Sequence, residues 1–116
     1  MKFERIDDET FWDIVTKAGF GGTGKIGEIR GVTYAQMVAT FGEALEGDDD
    51  KTRVEWLIRF DDGSIANIYD YKERVGVERV TRWSIGGFDV NAVANVRNAL
   101  AHITARVTTY VPGFTA

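Results

Sequence analysis

TRVEWLIRFDDGSIANIYDYK, residues 52–72, alternates apolar and polar side chains on either side of an Asp-Gly pair. Val54, Trp56, Ile58 and Phe60 interleave with Arg53, Glu55, Leu57 and Arg59, the period-2 pattern of a half-buried strand. Asp62-Gly63 is the strongest short hairpin signal, because a type I′ turn needs positive φ at both central positions. The return strand is predicted over Ser64–Tyr71. With 62 and 63 as the loop, Phe60 faces Ile65, Ile58 faces Asn67, Trp56 faces Tyr69 and Val54 faces Tyr71 on the core face. The opposite face then pairs Arg59 with Ala66, Leu57 with Ile68, Glu55 with Asp70 and Arg53 with Lys72.

Downstream, residues 78–85 are predicted as a third strand, with Thr81, Trp83 and Ile85 inward and Val80, Arg82 and Ser84 outward. Gly86-Gly87 breaks the chain at a tight corner. Asp89 caps a long last helix over about 90–107, whose stripe is Val93, Val96, Leu100, Ile103 and Val107. Residues 108–116 are a tail with the single proline, Pro112. Upstream, acids at 7 and 8 before Phe11, Trp12, Val15 and Ala18 predict a helix over about 8–18, stopped at Gly19. Residues 19–31, rich in glycine, read as a flexible connector, with room for a short strand at 26–30. Thr33 and Gln36 match a capping box that opens a short helix to Phe41, closed by Gly42. Residues 43–51 read as a solvated loop. The expected fold class is α+β: an antiparallel β-meander of three to four strands, helices packed on one face, and a long C-terminal helix. A single domain over 1–116 accommodates it.

Composition narrows the chemistry. The 116 residues are 44% hydrophobic and 28% charged, with a net charge of −4. There is no cysteine, which removes disulfides, thiolate metal sites and thiol nucleophiles. No N-terminal apolar segment and no run of about 18 apolar residues is present, so a cytoplasmic protein without a membrane span is expected. Net acidity argues against bulk nucleic-acid binding.

Several motifs invite a chemical reading. Gly19 through Lys25 spells G-x-x-x-x-G-K, and Gly22 through Gly27 spells G-x-G-x-x-G. A phosphate loop needs a strand before it, a helix after it and a hydroxyl for magnesium; here a helix precedes and Ile26 replaces the hydroxyl. A mobile loop is the preferred reading, with Lys25 able to grip an anion if the loop orders on one. Asp48-Asp49-Asp50 lacks the spacing of a calcium loop and reads as a solvated acidic turn. Glu55 across from Asp70 would make a carboxylate pair, but Arg53, Arg59 and Lys72 on the same face neutralise it. His102, the only histidine, reads as a helix-boundary residue. Trp12, Trp56 and Trp83 read as core anchors.

Phe41-Gly42-Glu43, Asp50-Lys51-Thr52, Glu55-Trp56, Ile68-Tyr69-Asp70-Tyr71-Lys72 and Trp83-x-Ile85-Gly86-Gly87 occur in that order. Over roughly residues 32–100 the chain thus resembles a family of small tailed-bacteriophage accessory proteins. Relatives often carry Pro after Phe-Gly-Glu and His after the double glycine, where this chain has Ala44 and Phe88. No role for that histidine carries over. The resemblance implies a setting, the cytoplasm of an infected bacterium, and no particular chemistry.

No nucleophile, base and oxyanion donor can be named together, so no catalytic residues, no cofactor and no metal are expected. The expected function is non-catalytic binding that neutralises a host defence component, through a small anionic nucleotide-type ligand or a host protein surface. The expected surface is the outward sheet face, Arg53, Arg59, Lys72 and Arg82 around Leu57 and Ile68, since guanidinium forks suit phosphate and flat rings. Lys25, Gly86 and Gly87 are secondary candidates, the glycines because backbone can approach a ligand closely there. Two alternatives stand beside this. Small residues at Ala92, Ala94, Ala99 and Ala101 suggest a homodimer acting in structure or assembly, and Glu55 with Asp70 suggests a metal-dependent enzyme.

Overall fold

The computed structural model describes residues 2–19, 23–49 and 52–110. In chain order they form β1 (Phe3–Arg5), α1 (Asp8–Lys17), β2 (Gly24–Arg30), α2 (Tyr34–Phe41), β3 (Leu45–Asp49) and β4 (Thr52–Phe60). Then follow β5 (Ile65–Tyr69), a 3-10 turn at Val77–Arg79, β6 (Arg82–Gly87), α3 (Val90–Ala99) and β7 (Arg106–Thr109). The strands join in one seven-stranded sheet, ordered β1-β4-β5-β6-β2-β7, with β3 also paired to β4. Every pairing is antiparallel. The expected meander of three to four strands, with helices on one face and a long C-terminal helix, is overturned on each count.

The hairpin also differs from expectation, in register. Its loop has three residues, because Phe60 N donates to Ser64 O (2.9 Å) and Gly63 N donates to Phe60 O (2.9 Å). Gly63 adopts φ +86, the left-handed position that ends a type I turn. Asp62 Oδ1 accepts from Ser64 N at 2.9 Å and Ser64 Oγ at 2.7 Å, which fixes this turn. One extra loop residue shifts the register, so Trp56 faces Ile68 and Ile58 faces Ala66. Burial decides the phase: the two-residue loop would have sent Asn67 and Tyr69 to the core in place of Ala66 and Ile68.

Both sheet faces are therefore covered in part. Trp56, Ile58, Phe60, Ile68, Trp83 and Ile85 form the main core with Met37 and Phe41 of α2 and Val93 and Val96 of α3. Trp56 and Trp83 meet edge-to-face at 5.4 Å, and their indole N–H groups donate to Gly42 O and Val32 O, each at 2.8 Å. On the reverse face, Phe11 and Val15 of α1 close over Leu57 and Ile65. Trp12 lies outside this layer, 39% exposed, and is no core anchor.

Residues 24–30 of the glycine-rich segment form β2, which lies inside the sheet between β6 and the edge strand β7 and contains the strand expected at 26–30. A Cβ on Gly27 would stand 2.8 Å from Thr108 O and 3.0 Å from Val93 Cγ2, so the glycine lets α3 lie against β2. The segment expected as the solvated loop 43–51 supplies β3, and Val80, expected outward, is buried. α3 stops at Ala99, well short of the expected 107. Val107, Thr108 and Thr109 are β-branched and favour a strand, and Val107 fills the same core from β7. Arg97 Nη2 ties helix to strand through Val107 O at 2.9 Å. Two helix caps match expectation, Thr33 with Gln36 and Asp89, each accepting a backbone N–H, and Asp7, expected only as an acid near the first turn, caps α1 in the same way. Residues 20–22 of the glycine-rich run, Asp50, Lys51 and the tail 111–116 with Pro112 lie outside the described residues. Among the described residues, no helix is long and apolar enough to cross a membrane.

Candidate functional site

The register places the expected binding residues far more loosely than the sequence implied. Leu57 and Ile68 lie on opposite sheet faces, one under α1 and the other in the main core, both buried. Arg59 is held by Glu4 of β1. Arg53 Nε bonds Asp70 Oδ2 at 2.9 Å. Lys72 occupies the segment after β5 with φ 56, its Nζ 5.2 Å from the Tyr71 ring centroid. Lys25 bonds Glu28 at 3.1 Å and stands 5.9 Å from the Tyr110 ring centroid. Gly86 and Gly87 are inside β6, where a Cβ on Gly86 would collide with the Asn67 amide. They make close contacts within the sheet and do not form the expected chain break.

The carboxylate pair is not assembled. Glu55 faces Tyr69 across the ladder. Asp70 spends its oxygens on Arg53 N (2.9 Å), Val54 N (3.0 Å) and Arg53 Nε (2.9 Å). Among the described residues no group of three or more His, Cys, Asp or Glu is disposed to hold a metal ion. The phosphate-loop reading of residues 19–25 likewise fails, since a strand and not a helix follows it.

Of the nine candidates, Arg82 stands in a larger constellation, which Lys25 touches through Glu28. Arg30 of β2 stands directly across from Arg82 of β6 and from Arg106 of β7. Three like charges thus form one row over three adjacent strands. Beside the row lies a groove of about 380 Å³ lined by Arg30, Arg79, Arg82, Glu73, Val75 and Val80, among others. A second groove of about 400 Å³, lined by Arg30, Gly31, Thr104, Ala105 and Arg106, opens on the other side of Arg30.

Two carboxylates partly offset four guanidinium groups. Arg30 Nε donates to Glu28 Oε1 at 2.6 Å, and Arg82 Nε donates to Glu73 Oε1 at 3.4 Å. In both, the bond uses Nε, and no ion pair among the described residues engages the terminal nitrogens. Arg79 and Arg106 have no ion pair among the described residues. Burial works to raise the Glu28 carboxyl, but hydrogen bonds and charge from Lys25 and Arg30 outweigh it and hold its pKa below 4.5.

Next to the arginines runs a polar row on the same face: Glu55, Tyr69, Ser84, Glu28 and Thr108, each opposite the next. Burial first, then the neighbouring Tyr71, pushes the Tyr69 phenol above its ordinary value, so it stays a neutral hydrogen-bonding group near pH 7. The site offers fixed cations and hydrogen-bond donors.

Arg30, Arg79 and Arg106 were invisible as a group in the sequence. Arg106-Val107-Thr108-Thr109 did carry the signal, β-branched residues in the alternation of a strand. No protein-family model, curated protein or solved structure matches the chain.

Proposed function

We propose that this chain is a non-catalytic binding protein that takes up a small anionic ligand of nucleotide type at the Arg82–Arg30–Arg106 row. The direct opposition of these residues carries the reading. Like charges facing each other across strands are destabilising, so the row is unfavourable for folding and favourable for an anion. Guanidinium forks pair with phosphate in two-pronged fashion and stack on flat rings, which suits a phosphorylated, aromatic ligand. The resemblance to phage accessory proteins supports a host-made ligand and a role in neutralising a host component. The alternatives have less support: α3 is ten residues long, with Ala92 already buried in the core, and Glu55 does not face Asp70.

Titration calorimetry with adenosine 5′-monophosphate at low ionic strength tests the reading. Binding should weaken about tenfold or more in Arg30→Ala with Arg82→Ala, since each charged hydrogen bond contributes roughly 1.5–3 kcal/mol. It should also weaken as salt is added. Equal binding by parent and double variant, or no binding by the parent, would remove the proposal. Native mass spectrometry of the full chain from bacteria would then show whether a host protein is retained instead.

A further inference from the structure

The two grooves say more about the ligand than the row does alone. Each has its own arginine without an ion pair among the described residues, Arg79 in one and Arg106 in the other. Arg30 and Gly31 are common to both. Gly31 adopts φ +81, a conformation side chains disfavour, and a Cβ there would stand 3.6 Å from Thr104 O. At Gly31 no side chain stands between the grooves, and the Arg30 guanidinium is the wall they share. Adjacent strands are about 4.8 Å apart, so the row spans about 10 Å from Arg82 to Arg106. That is wider than one phosphoryl group.

Resting on the function proposed above, we infer that the ligand carries two separated phosphoryl groups, one on each side of Arg30, and belongs to the dinucleotide class. The first group sits in the groove with Arg79 and Arg82, which brings three guanidinium groups together where the second groove has two. The second meets Arg106. Glu28 and Glu73 engage the Nε sides of Arg30 and Arg82, so both groups approach the terminal nitrogens. Val75, 44% exposed, and Val80 supply an apolar wall in the first groove, and Ala105 does so in the second.

Calorimetry with full-length protein distinguishes this from simple anion binding. The probes are adenosine 5′-monophosphate, the 5′-phosphorylated diadenylate and the corresponding tetra-adenylate; the variants are Arg79→Ala and Arg106→Ala, both at exposed positions. The dinucleotide should bind at least about tenfold tighter than the mononucleotide, because its second contact is intramolecular. Arg106→Ala should cost the dinucleotide at least about tenfold more than it costs the mononucleotide, and Arg79→Ala should weaken both. Melting curves check that the variants fold. If mono- and dinucleotide bind alike, or Arg106→Ala weakens both equally, the inference falls and anion binding stands. A further tenfold gain for the tetranucleotide would mark a single-strand track and also overturn it. If no probe binds, the proposed function fails and the inference with it.

Discussion

Asp70→Ala would expose how the start of β4 is anchored. The Asp70 carboxylate is fully buried and accepts Arg53 N, Val54 N and Arg53 Nε, at 2.9, 3.0 and 2.9 Å. It stands where a neighbouring strand would supply carbonyl oxygens. Removing it strands two backbone donors, each costing about 1–3 kcal/mol when buried without a partner. The Arg53 guanidinium loses its anion as well, but its side chain is 37% exposed and can turn partly to water, which discounts that share. Loss of one member of a buried pair typically costs about 3–5 kcal/mol, and the lower half of that range is expected here. Asp70→Asn keeps an acceptor for both backbone donors, which share Oδ1, and should cost about half as much. Urea unfolding followed by fluorescence of the buried Trp56 and Trp83 reads both values. A cost below about 1 kcal/mol for Asp70→Ala would refute this account, because unsatisfied donors at that depth cannot be so cheap.

Arg106→Thr should stabilise the fold by roughly 0.2–1 kcal/mol in urea unfolding, since it removes a like charge opposite Arg30 and introduces a good strand former. A loss of stability would show that the row has a structural part to play. Asp62 predicts an acid limb: hydrogen bonds from Ser64, then from Asn95, hold its pKa below the ordinary 3.8. Stability from this group is complete above 3.8 and is lost as pH falls through the lower folded value, because the unfolded state takes up its proton first. Asp62→Asn should flatten that limb, and an unchanged pH profile of denaturation would show that the hairpin tip is not pinned to α3.

What was legible in the sequence was local. Asp7, Thr33 with Gln36, and Asp89 announce helix starts because a cap is closed by residues two or three positions away. The phase of β4 was legible too, because Trp56, Ile58 and Phe60 alternate over a long strand. The hairpin was misread by one residue, since Asp-Gly suits a two-residue turn and also a type I turn closed by a left-handed glycine. β1, β3 and β7 were missed because each is short and held by distant partners, as Phe3 is by Phe60 and Val107 by Ile29. β2 was legible only in part, as the short strand at 26–30, because its glycines look like loop punctuation until α3 and Thr108 are seen pressing on Gly27. The site shared this fate. Arg82 could be placed on an outward face, but Arg30 and Arg106 become its neighbours only once both flanking strands exist.

The overall acidity of the chain sharpens the meaning of the row. Acids outnumber bases, 18 to 14, so carboxylates are available to neutralise cations, and at several places away from the row they do. Arg53 has Asp70, Arg59 has Glu4 and Lys17 has Asp13. At the row, Arg30, Arg79, Arg82 and Arg106 share Glu28 and Glu73. The result is a positive patch about 10 Å wide, set by two strand spacings. That is close to the Debye length of about 8 Å at physiological salt, so the patch field ends near its own edge. A small anion seated there meets little of the net charge of −4. A long polyanion would have to continue over the acidic remainder of the surface, paying repulsion at each further phosphate. On the function proposed above, an arrangement that attracts a short phosphorylated ligand would disfavour extended nucleic acid.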